Sequence, residues 1–322
     1  MPPSSNLRGA LLALVAFAVF ATHDVLIKYL GGSYSPFQIV FFSVLFGFPF
    51  VTVLLLRDQT EANLLPTHPW WSLARTLASV VTAFTVFYAF SVLPLAQTYA
   101  ILFAAPLLIT VLAIPLLGEK VGWRRGLAVL VGLAGVIVVL RPGETDLSLG
   151  HLAALVGAVS SALASVIVRK IGREERSVVL ILYPMVANFV LMGAALPFVY
   201  QPMPLLDLGA QAVIAALALV GTACVIAAYK AASAITVAPM QYSQIIWATF
   251  FGFLLFDESL SWATIAGSAI IIASGLYIVL RESMGGQSAN TPVLRTRSRA
   301  GMPSAPRVAV YVPDEKRGPD PE

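Results

Sequence analysis

Read for the alternation of apolar and polar positions, the chain is a series of long apolar runs. "LLALVAFAVF" and "LAVLVGLAGVIVVL" are two of them, and the runs are separated by short stretches, most of which carry charges. Runs of this length approach the ~20 residues that a helix needs to cross a bilayer. The pattern predicts ten spans, at 8–30, 35–56, 71–92, 95–117, 123–140, 149–169, 177–199, 209–231, 237–256 and 262–280. It predicts an all-α polytopic membrane protein. The run "AFA" at 16–18 resembles a signal-peptide cleavage site. Losing that span would leave nine helices and break the repeat described below, so it is read as the first span.

Composition strengthens this picture: 58% of the 322 residues are hydrophobic and 11% are charged, with a mean hydropathy of +0.86. A soluble domain is far more polar than this. With the N-terminus inside, twelve of the 20 Lys and Arg fall on the cytoplasmic side, two (Lys28 and Arg141) fall outside, and six lie beyond residue 283. That bias puts both termini in the cytoplasm. The positive residues are spread between apolar runs, so they read as orientation signals and not as a nucleic-acid surface. The lipid bilayer and a small-molecule substrate are the expected partners. After residue 283 the chain turns rich in Gly, Pro, Ser and charge, the composition of a disordered tail over 284–322. Cys224 is alone and excludes an intramolecular disulfide.

The two halves resemble each other. "GEKVGWRRGLAVLVGLAGVIVVLRPG" at 118–143 aligns with "DESLSWATIAGSAIIIASGLYIVLRES" at 257–283. In each, an acid (Glu119, Glu258) stands four residues before a tryptophan (Trp123, Trp262), followed by a helix rich in Gly and Ala. Upstream, "FYAFSVLPLAQTYAILFAAPLL" has its counterpart in "AAYKAASAITVAPMQYSQIIWA". Five spans per half is an odd number, which forces the second copy (144–283) to run opposite to the first (1–143). Inverted repeats of this kind belong to secondary carriers, which bind substrate near the midplane between the copies.

The run "FYAFSVLPLAQTYAILFAAPLL" with "LGEKVGWRR" and "VGLAGVIVVLRPG" resembles the EamA branch of the drug/metabolite transporter superfamily, over about residues 8 to 281. The resemblance implies a ten-helix carrier of the inner membrane with a central cavity and alternating access. "DVLIKYL…PFQIVFF" is further similar to members that carry S-adenosylmethionine or riboflavin. An amino-acid-like metabolite fits the same resemblance.

Candidate chemistry follows from polar and aromatic groups set into apolar spans. Tyr88, Gln97, Tyr99, Tyr183, Asn188, Tyr229, Gln241, Tyr242, Gln244 and Trp247 are the candidates for a cavity lining, because buried amides and phenols need partners that a substrate can supply. Tyr99 and Trp247 lead, being in the repeat-related fourth and ninth spans; interhelical hydrogen bonding is the competing role. Pro94, Pro106 and Pro115 interrupt spans three and four and Pro239 opens span nine, which frees carbonyls inside the bundle. Gly126, Gly132 and Gly135, with Gly267, Ser274 and Gly275, form a small-residue stripe suited to close helix packing. Glu119 and Glu258 are expected at helix starts, facing the positive dipole end.

"ATHDVLIKYL" places His23, Asp24 and Lys28 in the outer part of span one, Asp24 about 24 Å from Arg8 at ~1.5 Å per residue. Four apart, Asp24 and Lys28 are expected to pair on one face. Either this is a structural ion pair, or Asp24 lines an outer vestibule and binds a proton or a cationic part of the substrate. No metal, cofactor or catalytic residue is expected: HExxH and G-x-S-x-G are absent, and Asp24 is the lone aspartate in a span core, where aspartyl proteolysis needs two. A channel or a non-transporting receptor would share the composition.

Overall fold

The computed structural model describes residues 3–57, 64–119, 121–142, 147–172, 174–232 and 234–283. The tail at 284–322 lies outside the described residues, as do Lys120, Arg173 and the 143–146 link. Apart from turns and short connections the described chain is helical. The helices are α1 (Pro3–Gly31), α2 (Pro36–Arg57), α3 (Pro69–Val92), α4 (Leu95–Leu102), α5 (Ala105–Leu117), α6 (Trp123–Leu140), α7 (Leu149–Ile171), α8 (Ser177–Val199) and α9 (Leu205–Ala231). The short α10 (Ala234–Val237) and a 3-10 turn over Ala238–Ser243 lead into α11 (Gln244–Phe256), and α12 (Trp262–Ser283) closes the chain.

Eight of the described spans are long and apolar enough to cross a membrane, Pro36–Thr52 is a shorter apolar helix, and the segment 234–256 supplies the tenth. Spans four and nine are therefore not single helices. In span four α4 stops at Leu102, Phe103 and Ala104 form a turn, and α5 resumes with Pro106 in its first turn, where a missing N–H costs nothing. Span nine narrows to a 3-10 turn with Pro239 near its start. Pro94 is the N-cap of α4, and Pro115 lies inside the last turn of α5.

The helices pair across the two repeats: α1 packs on α9, α3 on α7, α2 on α8 and α6 on α12. Fully buried Phe90, Phe103, Ile101, Leu107, Ile214 and Ile271 form the largest part of the core. Outward faces carry large apolar side chains, such as Leu130 at 65%, Phe253 at 72% and Leu206 at 80% exposure. A surface built this way is stable against hydrocarbon, not water.

The small-residue stripe is a packing device at most of its positions. A Cβ on Gly267 would come within 2.6 Å of the Gly135 carbonyl oxygen, one on Gly132 within 2.4 Å of Leu107, and one on Gly275 within 2.0 Å of the Tyr242 hydroxyl. Gly126 departs from the expectation, since nothing lies within 4 Å of its Cβ position. Gly267→Leu is accordingly expected to lower the Tm of the detergent-purified protein by several degrees, the effect of ~1–3 kcal/mol of overpacking, while Gly126→Ala does not lower it and can raise it slightly, alanine being the better helix former. Equal melting curves for the two variants would contradict the packing.

The acids at the ends of spans four and nine occupy a position other than the expected one. The first turns of α6 and α12 hold no acid. Instead α5 ends at Gly118 with φ +68° and α11 at Asp257 with φ +52°. The next residue's N–H then bonds back six positions, Glu119 to Ala113 O (3.4 Å) and Glu258 to Gly252 O (3.0 Å). This is the left-handed helix stop that glycine favours. It fixes both glutamates in the same place relative to their helix.

Candidate functional site

The turn of span four and the turn of span nine meet inside the bundle. The Phe103 and Tyr242 rings are 5.0 Å apart at 82°, and Gln244 Nε2 donates to the Tyr99 hydroxyl at 3.2 Å. Tyr99 in turn donates to Asp24 Oδ2, and His23 Nδ1 lies 2.7 Å from Asp24 Oδ1. His23, Asp24, Tyr99 and Gln244 are all buried, Asp24 with no exposed surface. Phe90 packs edge-on to Tyr99 (5.2 Å), Phe103 lies 5.9 Å from it, and Phe87 packs edge-on to His23 at 6.3 Å. The result is a carboxylate with hydrogen-bond partners on both oxygens, walled by aromatic rings and reached from both repeats.

Such a group has a defined chemical capacity. A buried carboxylate is costly unless it is paired and hydrogen-bonded. Here the partners are a phenol, an imidazole and, one step removed, an amide, so a cationic ligand or a proton has a place to compete. The aromatic walls offer faces for a ring or an onium group.

The structure brings together three of the sequence-predicted lining residues, Tyr99, Tyr242 and Gln244, with two from the charged motif, His23 and Asp24. The expected Asp24–Lys28 pair is absent. Lys28 Nζ instead lies 2.7 Å from Glu258 Oε1 and donates to Leu93 O at 2.6 Å, because α1 carries it beyond Asp24 to the end of the bundle where span four begins. Glu258 also accepts the Leu95 N–H at 2.9 Å. It caps the start of α4, not α12.

Other predicted residues lie elsewhere. Gln97 Nε2 is 3.0 Å from His151 Nε2, and it lines a cavity of about 170 Å³ at the same end of the bundle with Pro94, Arg141, Glu258, Ser261 and Thr264. Tyr183 donates to Leu64 O at 3.2 Å, a contact between a span and a loop. Asn188 is buried and donates to Pro184 O within its own helix. Tyr88 is half-buried and stacked beside Phe84 (6.5 Å). Trp247 is half-buried one turn along from Gln244, and no hydrogen bond or ring contact joins it to the network among the described residues.

Sequence reasoning missed two features. Ser43 donates to Gln211 Oε1 at 3.0 Å, and the fully buried Gln211 leaves its Nε2 without a partner; the signal was an amide in the apolar run of span eight. Tyr34 donates to Asp207 Oδ2 at 2.6 Å between the repeats. That bond, with burial and the charge of Asp207, pushes the Tyr34 phenol up to about 12. Its stabilising effect is therefore complete below the ordinary tyrosine pKa near 10 and is lost only as pH rises through about 12.

A model of the EamA-like transporter family matches residues 7–141 and again 148–281. An S-adenosylmethionine uptake transporter of Rickettsia bellii is 24% identical over 84% of this chain and 92% of its own length. A pseudopaline exporter of Pseudomonas aeruginosa is 25% identical over 83% and 94%, and a riboflavin transporter of Rhizobium johnstonii is 24% identical over 87% and 93%. One crystal structure superposes with a TM-score of 0.57 at 18% identity, covering 89% of this chain and all of the other. That likeness concerns the fold.

Proposed function

Because the chain belongs to the EamA-like transporter family, we propose that it carries a cationic or zwitterionic organic metabolite bearing a ring, of the class S-adenosylmethionine represents, by alternating access around Asp24. The observation that carries this reading is the Asp24 carboxylate itself: fully buried, bonded by Tyr99 and His23, and linked through Tyr99 to Gln244 of the other repeat. Intramembrane charges at such depth are functional by default. The walls of Phe87, Phe90, Phe103 and Tyr242 suit a ring stacked beside the charge. Membership in a transporter family and the transport names of the relatives support carriage over catalysis.

The units of this carrier are 1–143 and 144–283, with 284–322 as a cytoplasmic tail. The membrane is the bacterial inner membrane, with both termini inside. The charge bias supports this orientation, and the bacterial relatives support the membrane. Thiol labelling checks it. A cysteine at Glu174 reacts from the cytoplasmic side, and one at Leu260 from the other; a Glu174 position open to the outside overturns the orientation.

Transport itself is tested in proteoliposomes. Labelled S-adenosylmethionine should show saturable counterflow, inhibited by other cationic and zwitterionic ring-bearing metabolites and weakly by riboflavin. Uptake of neutral riboflavin alone would overturn the assignment of Asp24 as a cation site. Non-saturable flux would replace the carrier with a channel.

A further inference from the structure

Two ion pairs stand at opposite ends of the bundle. Lys28 meets Glu258 where α1 ends and span four begins. Arg169 meets Glu119 where α7 and span four end. They have the same construction. Lys28 and Arg169 stand at the ends of the first span of each repeat. Glu119 and Glu258 each follow the fourth span of a repeat, one residue beyond the left-handed helix stop described above. Each bridge therefore fastens the first span of one repeat to the fourth span of the other. All four side chains are largely withdrawn from solvent, at 12% and 14% exposure for Lys28 and Glu258 and 8% and 7% for Arg169 and Glu119.

Their surroundings differ in a way that bears on movement. Glu258 holds the Leu95 N–H, and Lys28 holds the Leu93 carbonyl, so the first bridge grips the link that leads into the Tyr99 helix. The 170 Å³ cavity opens beside Glu258. At the other end Lys170 reinforces the second bridge, donating to Leu116 O at 2.8 Å and lying 4.4 Å from the centre of the Trp71 ring. With both bridges made, Asp24, Tyr99 and Gln244 are sealed from both ends, none more than 2% exposed.

We propose that Lys28–Glu258 and Arg169–Glu119 are the two gate latches of the carrier, and that opening either end of the central site breaks the bridge at that end while the other holds. The proposal rests on the alternating-access reading above, for which it supplies the contacts that define each state. It follows from geometry: rocking the repeats against each other about a central site moves the ends of span one and span nine, or of span six and span four, in opposite senses. A bridge of two nearly buried charges can be made or broken but not stretched, because the cost of a separated buried charge is steep. The pair is thereby a two-state element of the kind that converts small displacements into a switch.

The experiment reads distance, not transport. In a Cys224→Ala background, one pair of spin labels is placed at Tyr29 and Leu260 for the first end, and another at Trp123 and Glu174 for the second; all four side chains are exposed. Pulsed electron–electron distance measurements on the liposome-reconstituted protein should show that Glu258→Gln lengthens the first distance and leaves the second unchanged. Glu119→Gln should do the reverse. At the second end charge exchange, Arg169→Glu with Glu119→Arg, should restore the short distance; at the first end Lys28→Gln, which keeps a donor for the Leu93 carbonyl, should lengthen the distance as Glu258→Gln does. These variants keep the test decisive where a glutamine variant of either glutamate fails to fold. Unchanged distributions in both glutamine variants, or lengthening at the wrong end, overturn the proposal. Since no substrate is needed, a protein that does not carry S-adenosylmethionine but shows these distances would refute the substrate reading and leave the latches standing.

Discussion

Asp24→Asn should lower uptake of a cationic ring-bearing metabolite by roughly 100-fold while leaving insertion and melting temperature close to those of the wild type. Asparagine keeps the size of the side chain and a carbonyl oxygen for the Tyr99 hydroxyl, so the local hydrogen bonding survives. What it removes is the negative charge. A hydrogen bond to a charged partner contributes ~1.5–3 kcal/mol, and each 1.36 kcal/mol is tenfold, which places the loss between about ten- and 150-fold. The measurement is the initial rate in proteoliposomes against substrate concentration, with membrane content normalised by immunoblot. If the carboxylate also binds the coupling proton, the variant loses accumulation against a gradient but retains exchange. Wild-type uptake in a folded Asp24→Asn protein would remove Asp24 from the site.

Substitutions at Tyr99 separate a hydroxyl from a ring. Tyr99→Phe preserves the contacts with Phe90 and Phe103 but cuts the bridge between Asp24 and Gln244, and should reduce transport about tenfold, the worth of one charge-assisted hydrogen bond. Tyr99→Ala also opens a cavity in the core and is expected to cost about 3–5 kcal/mol of stability, visible as a Tm fall of many degrees. Transport in the two variants measured side by side decides the issue. If Phe behaves as wild type and only Ala is impaired, Tyr99 is a packing residue.

Much of this architecture was legible in the sequence because hydrocarbon is an unforgiving solvent. Every backbone polar group must be satisfied within its own helix, so the runs had to be spans, and their odd number per repeat had to invert the second copy. Tyr99, Tyr242 and Gln244 were legible for a related reason: a polar group in an apolar span needs a partner nearby. What could not be read was which partner. Asp24 and Lys28 share a helix face by spacing, yet Lys28 pairs with a glutamate 230 positions away in sequence, since a local rule knows nothing of the helix brought alongside. Glu119 and Glu258 were placed at helix starts for want of the turn geometry; the positive φ at Gly118 and Asp257 keeps each with the helix before it. Trp247 was favoured by repeat position alone. The repeats are not chemically equivalent: four residues before Lys28 stands Asp24, and four before Arg169 stands Ser165.

Among the described residues, most side-chain bonds that tie distant parts of this molecule run from one repeat to the other. Gln38 exchanges two bonds with the backbone of Gln201, Glu175 receives the N–H groups of Thr67 and His68, Thr82 reaches Ser160, and both ion pairs cross as well. A single five-helix unit would thus expose most of its polar adhesive and close little of it internally, the Tyr99–Asp24 and Lys28–Leu93 bonds being the ones that stay within the first repeat. Its natural complement is a second copy of itself inserted upside down, one Lys or Arg and one Glu per copy yielding two bridges at once. The architecture has the form of an antiparallel pair of like subunits joined by a peptide link. Expressed as two separate polypeptides in one cell, 1–143 and 144–283 should therefore find each other in the bilayer and reassemble.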